Sequence, residues 1–193
     1  MLNKIFNEDC LEGMKRIPDG SIDAIITDPP YWTTACKWDS VIPFELMWAE
    51  LKRIIKPNGA IVLFGSQPFT SNLIISNPKM FRYEIIWNKT FWKEPFAAWK
   101  RPMKAHENIC LFYNKQPTFN PQYTYKKPYK DYRKDYKIKS ERYNIEHIWY
   151  ESIDWRRNPI SVIDYVNANF KWMHPTQKPV ALIEYLIKTY TNE

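Results

Sequence analysis

Cysteine is scarce in this 193-residue sequence. Cys10, Cys36 and Cys110 are odd in number, lie far apart and form no Cys-x-x-Cys pair. The sequence therefore predicts neither a disulfide framework nor a zinc site, and we expect reduced thiols and no metal. No apolar run is long enough to cross a bilayer, and the N-terminal MLNKIFNEDC turns acidic too early for a signal peptide. We expect a soluble, cytoplasmic protein.

Aromatic and basic residues are abundant. Aromatic residues make up 17% of the chain, and the formal net charge is +7. A basic surface interleaved with aromatic rings is typical of proteins that contact phosphates and stack on bases. A basic protein with an ordinary aromatic core is the alternative. The composition therefore favours nucleic acid as the partner.

Apolar segments alternate with segments of helical periodicity up to about Lys115. Strands are predicted at residues 3–9, 22–27, 60–66, 83–89 and 107–115, and helices from Cys10, over 43–56 and over 68–77. This alternation predicts an α/β fold whose sheet is largely parallel and covered on both faces. In such sheets ligands bind beyond the carboxyl ends of the strands, where we expect Asp28, Ser66 and Asn88 to lie.

The composition changes after this core. Residues 1–115 form the predicted catalytic core. Residues 116–173 are rich in Tyr, Lys, Arg and Pro with little periodicity, and we interpret them as an inserted recognition segment. A disordered basic loop is the alternative. Residues 174–193 return to the core with the mostly apolar helix of HPTQKPVALIEYLIKTY.

The stretch AIITDPPYW, residues 24–32, places a carboxylate, two prolines and two aromatic rings after a buried strand. A nucleobase amino group is a poor nucleophile, because its lone pair is delocalised into the ring. Two acceptors that engage its two N–H bonds return electron density to the nitrogen. The Asp28 carboxylate and the Pro29 carbonyl are these acceptors, and Pro29 and Pro30 hold them in place by fixing φ. Tyr31 offers a stacking face and Trp32 a second wall. A Pro-Pro turn with a capping Asp is the alternative.

Two separated motifs carry a resemblance to a known family. TDPPYW resembles the catalytic motif of the amino-group DNA methyltransferases, which methylate adenine N6 or cytosine N4. HPTQKP is similar to a second motif of their β class, and residues 7–31 resemble the N-terminal block of that class. The motif order is also that of the β class, and the resemblance covers nearly the whole chain. It implies a Rossmann-like S-adenosylmethionine-dependent methyltransferase sheet with an inserted target-recognition segment.

The resemblance also implies a reaction and a partner. Adenine N6 attacks the sulfonium methyl of S-adenosylmethionine, and Asp28 accepts or relays the proton. Asp in the first motif position implies adenine more than cytosine. A paired adenine is out of reach inside the duplex, so double-stranded DNA with a flipped-out base is the expected substrate.

The implied site residues fall into three sets. The catalytic set is Asp28, Pro29, Pro30 and Tyr31. The cofactor set is Asp9, Asp28, His174, Thr176, Lys178 and Pro179, in which Thr176 and Lys178 meet the cofactor carboxylate. The substrate set is Tyr31, Trp32, Ser66, Asn88, Arg101 and Lys104. A strand-end cap is the alternative for Ser66 and Asn88, and a solvated surface is the alternative for Arg101 and Lys104.

Glycine is scarce as well, and this departs from the family pattern. In the family a strand with a Gly-x-Gly cofactor loop follows the HPTQKP helix, whereas the glycines here are Gly13, Gly20, Gly59 and Gly65. No two of them are separated by one residue, so the sequence contains no Gly-x-Gly. On the family topology the 22–27 strand then lacks a neighbour.

Several interpretations follow from this departure. We expect a truncated β-class enzyme; completion by another polypeptide or by homodimerisation is the alternative. A nucleic-acid-binding module that does not catalyse, and methylation of cytosine N4 or of RNA, are the other functions left open.

Overall fold

The structure is a computed structural model that describes residues 3–32, 39–93, 95–126, 155–166 and 176–192. The helices are α1 (Cys10–Met14), α2 (Phe44–Ile54), α3 (Phe69–Ser76) and α4 (Val180–Tyr190). The strands are β1 (Ile22–Thr27), β2 (Ile55–Gly65), β3 (Phe81–Lys93), β4 (Lys104–Phe112), β5 (Thr124–Tyr125), β6 (Arg156–Arg157) and β7 (Val162–Asp164).

Five strands form one sheet in the order β1-β2-β4-β3-β7. β1 is parallel to β2 and β3 to β7, whereas β4 is antiparallel to both of its neighbours. The sheet is therefore mixed, and the expectation of a largely parallel sheet is wrong. The connection between β3 and β4, residues 94–103, is too short for a crossover helix, so the chain returns antiparallel.

The core lies on both faces of this sheet. Successive side chains of a strand point to opposite faces. Ile61 and Leu63 of β2 are fully buried against α2 and α3, whereas Val62 and Phe64 pack with α4 on the other face. The prediction that helices cover both faces is confirmed.

The N-terminal segment differs from its prediction. Residues 3–9 form no strand, and Ile5 is completely exposed. A single short segment gains no stability from an extended conformation unless another strand pairs with it. The first regular element is α1, whose N-terminus is capped by the side chain of Asp9.

The chain divides into two compact units, one formed by Met1–Asn120 with Ile160–Glu193 and the other by Pro121–Pro159. The first unit holds the five-stranded sheet. In the second, β5 pairs antiparallel with β6, and the Arg156 guanidinium lies 5.4 Å from the centre of the Tyr123 ring. The boundaries 1–115, 116–173 and 174–193 stay a prediction, although Val162–Asp164 is a strand of the sheet. No helix in the described ranges is long and apolar enough to span a membrane.

Candidate active site

The candidate site begins where β1 ends. β1 and β2 run parallel, so Asp28 and Ser66, which follow them, lie at the same edge of the sheet. Asn88 was expected at a strand end as well, but β3 continues to Lys93 and Asn88 lies inside it. Its side-chain amide donates to Asp164 Oδ1 at 2.8 Å, which is a structural contact between β3 and β7.

The Asp28 carboxylate has a hydrogen-bond donor on each oxygen. Lys178 Nζ lies 2.6 Å from Oδ2, and the Tyr31 hydroxyl donates to Oδ1. The Asp28 side chain is 29% exposed and that of Lys178 is 11% exposed. Because each carboxylate oxygen has two lone pairs, Asp28 can still accept a further hydrogen bond from a ligand.

The contacts continue beyond Lys178 as an alternating row of charges. Lys178 Nζ lies 3.2 Å from Glu107 Oε2, and Glu107 Oε1 is paired with Lys89. We call Asp28, Lys178, Glu107 and Lys89 the charge row. Burial raises the pKa of Glu107, but the ammonium groups of Lys178 and Lys89 outweigh burial and lower that pKa below its ordinary value.

Aromatic rings surround the Lys178 ammonium. Its Nζ lies 5.2 Å from the ring centre of Phe64, 5.8 Å from that of Tyr31 and 6.0 Å from that of Trp87. Ring faces attract cations at these distances. Two carboxylates and three rings therefore stabilise the charge of the Lys178 ammonium.

Asp39 fixes the backbone of the strand tip. Its side chain is buried, and its Oδ1 accepts hydrogen bonds from the backbone N–H groups of Tyr31 at 2.8 Å and Trp32 at 2.9 Å. Trp32 has a φ of 57°, a conformation that is uncommon for residues other than glycine. The Asp39 carboxylate stabilises this bend.

The two aromatic residues of the tip have different environments. The Tyr31 ring packs against Phe69, with ring centres 5.1 Å apart. Burial and the nearby carboxylates of Asp28 and Glu107 raise the pKa of Tyr31, so its hydroxyl stays protonated and donates. Trp32 is 79% exposed. Trp32 therefore presents the open ring at this edge, and a stacking role for Tyr31 stays a prediction.

Two residues predicted to bind substrate meet each other. The Lys104 ammonium, at the start of β4, donates to the Ser66 hydroxyl. The Ser66 carbonyl accepts a hydrogen bond from Thr70 N at 3.2 Å, which fixes the chain at the start of α3. Arg101 is exposed in the connection between β3 and β4. Substrate contacts by these residues stay predictions.

The predicted cofactor residues are only partly brought together. Asp28 and Lys178 are in contact, Pro179 is buried directly before α4, and Thr176 is exposed. The Asp9 carboxylate accepts from Leu11 N at 2.8 Å and caps α1. His174 lies outside the described residues. Roles for these residues in cofactor binding stay predictions.

Three residues of the site went unrecognised in the sequence. Glu107 and Lys89 stand on neighbouring strands, and only the pairing of β3 with β4 brings them together. Asp39 follows no recognisable motif. A carboxylate at the start of the predicted apolar strand 107–115 was the available signal for Glu107.

Comparison with known proteins identifies the class. Residues 22–193 match the family model for DNA methylases of the N6/N4 type. The chain belongs to this DNA methylase family. The prediction of an amino-group DNA methyltransferase family is confirmed.

Three curated relatives are type II methyltransferases. M.HpaI of Haemophilus parainfluenzae is 28% identical over 100% of this chain and 61% of its own length. M.HinfI of Haemophilus influenzae is 30% identical over 94% of this chain and 54% of its own length. M1.MboII of Moraxella bovis is 24% identical over 99% of this chain and 80% of its own length. The chain thus spans only about half to three fifths of the first two relatives.

Two solved structures share the fold. The cytosine-N4-specific PvuII DNA methyltransferase has a TM-score of 0.63 and 15% identity, over 96% of this chain and 69% of that chain. The complex of M1.HpyAVI with SAM has a TM-score of 0.55 and 22% identity, over 97% of this chain and 76% of that chain. The mixed α/β sheet therefore has the predicted methyltransferase fold, in the form of an incomplete Rossmann-like sheet.

Proposed function

We propose that this chain carries the catalytic site of an S-adenosylmethionine-dependent DNA methyltransferase that methylates N6 of an adenine flipped out of the duplex. The observation that carries the proposal is the Asp28 carboxylate, held at the tip of β1 by Lys178 and Tyr31. Pro29 follows Asp28 in the chain, and the two prolines and the hydrogen bonds to Asp39 restrict the backbone of this loop. Rigid acceptors need no reorganisation during the reaction, which is the main electrostatic contribution of such a site.

The chemistry assigned to Asp28 and Pro29 is hydrogen-bond acceptance. One N–H of the adenine amino group donates to Asp28 and the other to the Pro29 carbonyl. The nitrogen then carries more electron density toward the methyl group. After the transfer, Asp28 holds the proton that leaves N6. Because the base is already held in this orientation, the reaction step itself loses little entropy in aligning the reactants, which lowers the activation barrier.

The residues present also fit the proposed cofactor. When it is bound, S-adenosylmethionine supplies an electrophilic methyl group on a sulfonium cation. The Asp28 carboxylate is 29% exposed and can accept a further contact beside Lys178, so it can face this cation. Thr176 and Pro179 precede α4, whose free N–H groups favour an anion such as the cofactor carboxylate. We assign Asp9, Asp28, His174, Thr176, Lys178 and Pro179 to cofactor binding.

Adenine is the proposed base, and cytosine is the alternative. Asp in the first position of the DPPY motif supports adenine through the family resemblance. The likeness in fold to a cytosine-N4-specific enzyme supports keeping N4 of cytosine as the alternative. The same pair of acceptors serves either amino group.

Double-stranded DNA is the proposed partner. Trp32 offers an exposed ring for the flipped base, and Arg101 and Lys104 offer positive charge near the same edge of the sheet. The outer side of β1 is not paired with any described strand. Another polypeptide that carries a Gly-x-Gly strand and loop is proposed to add there, and pairing of two copies of this chain through this strand is the alternative.

A second candidate is a nucleic-acid-binding module that does not catalyse. The observation that favours it is the composition of residues 116–173, which are rich in Tyr, Lys, Arg and Pro. Calorimetry separates the two candidates. Binding of S-adenosylmethionine at micromolar concentration supports the enzyme, whereas DNA binding without cofactor binding supports the module.

Methyl transfer from labelled S-adenosylmethionine to duplex DNA tests the enzymatic proposal. The assay includes a polypeptide that carries the Gly-x-Gly strand and loop. We expect Asp28→Ala to abolish transfer. Asp19→Ala, which removes an exposed carboxylate from the turn before β1, should leave it unchanged. Equal transfer by Asp28→Ala and the wild type would contradict the assignment of Asp28.

A further inference from the structure

We propose that Glu107 is a positioning residue of this site, which holds the Lys178 ammonium next to Asp28. The catalytic meaning of this inference rests on the proposed function. Its electrostatic part depends only on the contacts of the charge row, and it can be measured without any methyl transfer.

The first step is the position of Lys178 between two carboxylates. Its Nζ is 2.6 Å from Asp28 Oδ2 and 3.2 Å from Glu107 Oε2. Glu107 Oε2 is buried and makes no well-aligned hydrogen bond, so its interaction with Lys178 is ionic. The Lys178 ammonium therefore interacts with both carboxylates at once.

The second step is the rigidity of Glu107. It lies on β4 opposite Trp87 of β3, near the middle of the sheet. Lys89, two residues after Trp87 and on the same face, pairs with Glu107 Oε1. The Glu107 side chain is 13% exposed and that of Lys89 is 11% exposed. Lys178 itself lies in the loop that precedes α4. Because paired strands fix the Glu107 carboxylate, its contact restrains the Lys178 ammonium more than the backbone of that loop does.

The third step is the balance of charge. The charge row contains two ammonium groups and two carboxylates. The Tyr31 hydroxyl donates to Asp28, and the Cys110 thiol lies near Tyr31; both stay neutral because burial raises their pKa values, that of Cys110 to about 12. The Asp39 carboxylate, which accepts from the backbone N–H groups of Tyr31 and Trp32, is a further charged group at the tip. Without Glu107, two cations would face Asp28 alone and make it a weaker base. Without Lys178, Asp28 would lose its contacting cation, while Glu107 would keep Lys89, and Asp28 would become a stronger base.

The experiment is a titration of the full chain with ¹³C-labelled Asp and Glu carboxyls, followed by NMR. Lys178→Met should raise the midpoint of Asp28 by about one to three pH units, because an opposite charge in contact is lost. Glu107→Gln should lower that midpoint by about half a unit to one unit. The matched control is Glu84→Gln. Glu84 lies on β3 and accepts a hydrogen bond from Asn108 Nδ2, outside the charge row, so its replacement should leave the Asp28 midpoint unchanged.

An Asp28 midpoint that is the same in the wild type and in folded Glu107→Gln would overturn the proposal. The dispersion of the amide spectrum shows whether each variant is folded. If Glu107→Gln fails to fold, Glu107→Asp serves the same purpose, because its shorter side chain moves the charge away from Lys178. The Asp28 midpoint should then fall by part of the amount expected for the glutamine variant, and an unchanged midpoint again overturns the proposal.

An assay of methyl transfer distinguishes failure of this inference from failure of the proposed function. In an active preparation, Glu107→Gln should lower kcat with little change in the KM for S-adenosylmethionine, and move the acidic limb of the rate profile to lower pH. Coupled titration without any methyl transfer would support the positioning role and contradict the enzymatic proposal. Methyl transfer by a protein in which Glu107→Gln leaves the Asp28 midpoint unchanged would support the enzymatic proposal and contradict the positioning role.

Discussion

The Lys178 ammonium lies 2.6 Å from the Asp28 carboxylate, although the two residues are 150 positions apart in the chain. Asp28 belongs to the DPPY motif and Lys178 to HPTQKP, so this ion pair joins the two motifs that identify the family in the sequence. The contact places the residues before α4 against the tip of β1. A single polar cluster thus connects the first and last parts of the described core.

This ion pair should contribute to stability. Both side chains are mostly buried, at 29% and 11% exposure. Lys178→Met should lower the free energy of unfolding by about 3 kcal/mol, because it leaves Asp28 without its cation and Glu107 with Lys89 alone. Adding Asp28→Asn should recover part of the loss. Urea unfolding of the single and double variants measures the coupling.

The single and double variants of Asp28 and Lys178 form a double-mutant cycle. The exposed pair Lys188–Glu184 on α4 provides the control for this cycle. Its side chains are 50% and 58% exposed, so its cycle should show little coupling. Strict additivity of Lys178→Met and Asp28→Asn would show that the Asp28–Lys178 contact does not form in solution.

The stability of the wild-type protein should fall on acidification partly through Glu107. Its pKa is lowered in the folded protein, so its contribution is present above the unfolded pKa of about 4.3 and is lost as the pH falls through the folded value. Glu107→Gln lacks this contribution. The difference in unfolding free energy between the wild type and this variant should therefore narrow below about pH 4.3. A difference that stays constant from pH 7 to pH 3 would contradict the ionic role of Glu107.

Asp39 should control the conformation of the tip. Asp39→Ala leaves the N–H groups of Tyr31 and Trp32 without their acceptor, which we expect to cost about 1–3 kcal/mol. Asp39→Asn keeps a side-chain oxygen and should cost less. Urea unfolding measures the loss of stability. Equal unfolding free energies for the wild type and Asp39→Ala would show that these hydrogen bonds are replaced by water.

Trp32 should take part in binding the extruded base. Its ring is exposed at the tip, and loss of a stacking ring costs about 1–3 kcal/mol per base. Trp32→Ala should weaken binding of a duplex with an unpaired 2-aminopurine about 5- to 150-fold. Phe6→Ala removes a half-exposed ring near the N-terminus and is the control. Equal weakening by both variants would indicate a general surface effect.

The residues of the strand tip were predictable because local signals point to them. An apolar strand followed by Asp-Pro-Pro-Tyr places Asp28 at an edge of the sheet, and the helical periodicity of residues 43–56 predicts α2. The antiparallel β4 was not predictable in this way. Its apolar run has the same pattern in either direction, and only the short connection after β3 decides it.

The supporting residues depend on contacts between distant segments. Glu107 acquires its partners only when β4 pairs with β3 and when the residues before α4 reach the tip of β1. The burial of the Tyr31 ring likewise depends on Phe69 of α3, which no spacing within DPPYW encodes. The chemistry of the tip is therefore local in sequence, whereas the control of its charge is a property of the tertiary structure.

Analysis of the methylated nucleosides by mass spectrometry tests the central claim most directly. Duplex DNA is incubated with S-adenosylmethionine, the chain and a polypeptide supplying the Gly-x-Gly loop, and is then digested. Our account predicts N6-methyldeoxyadenosine from the wild type and none from Asp28→Ala. N4-methyldeoxycytidine as the product, or N6-methyldeoxyadenosine in equal amount from Asp28→Ala, would contradict it.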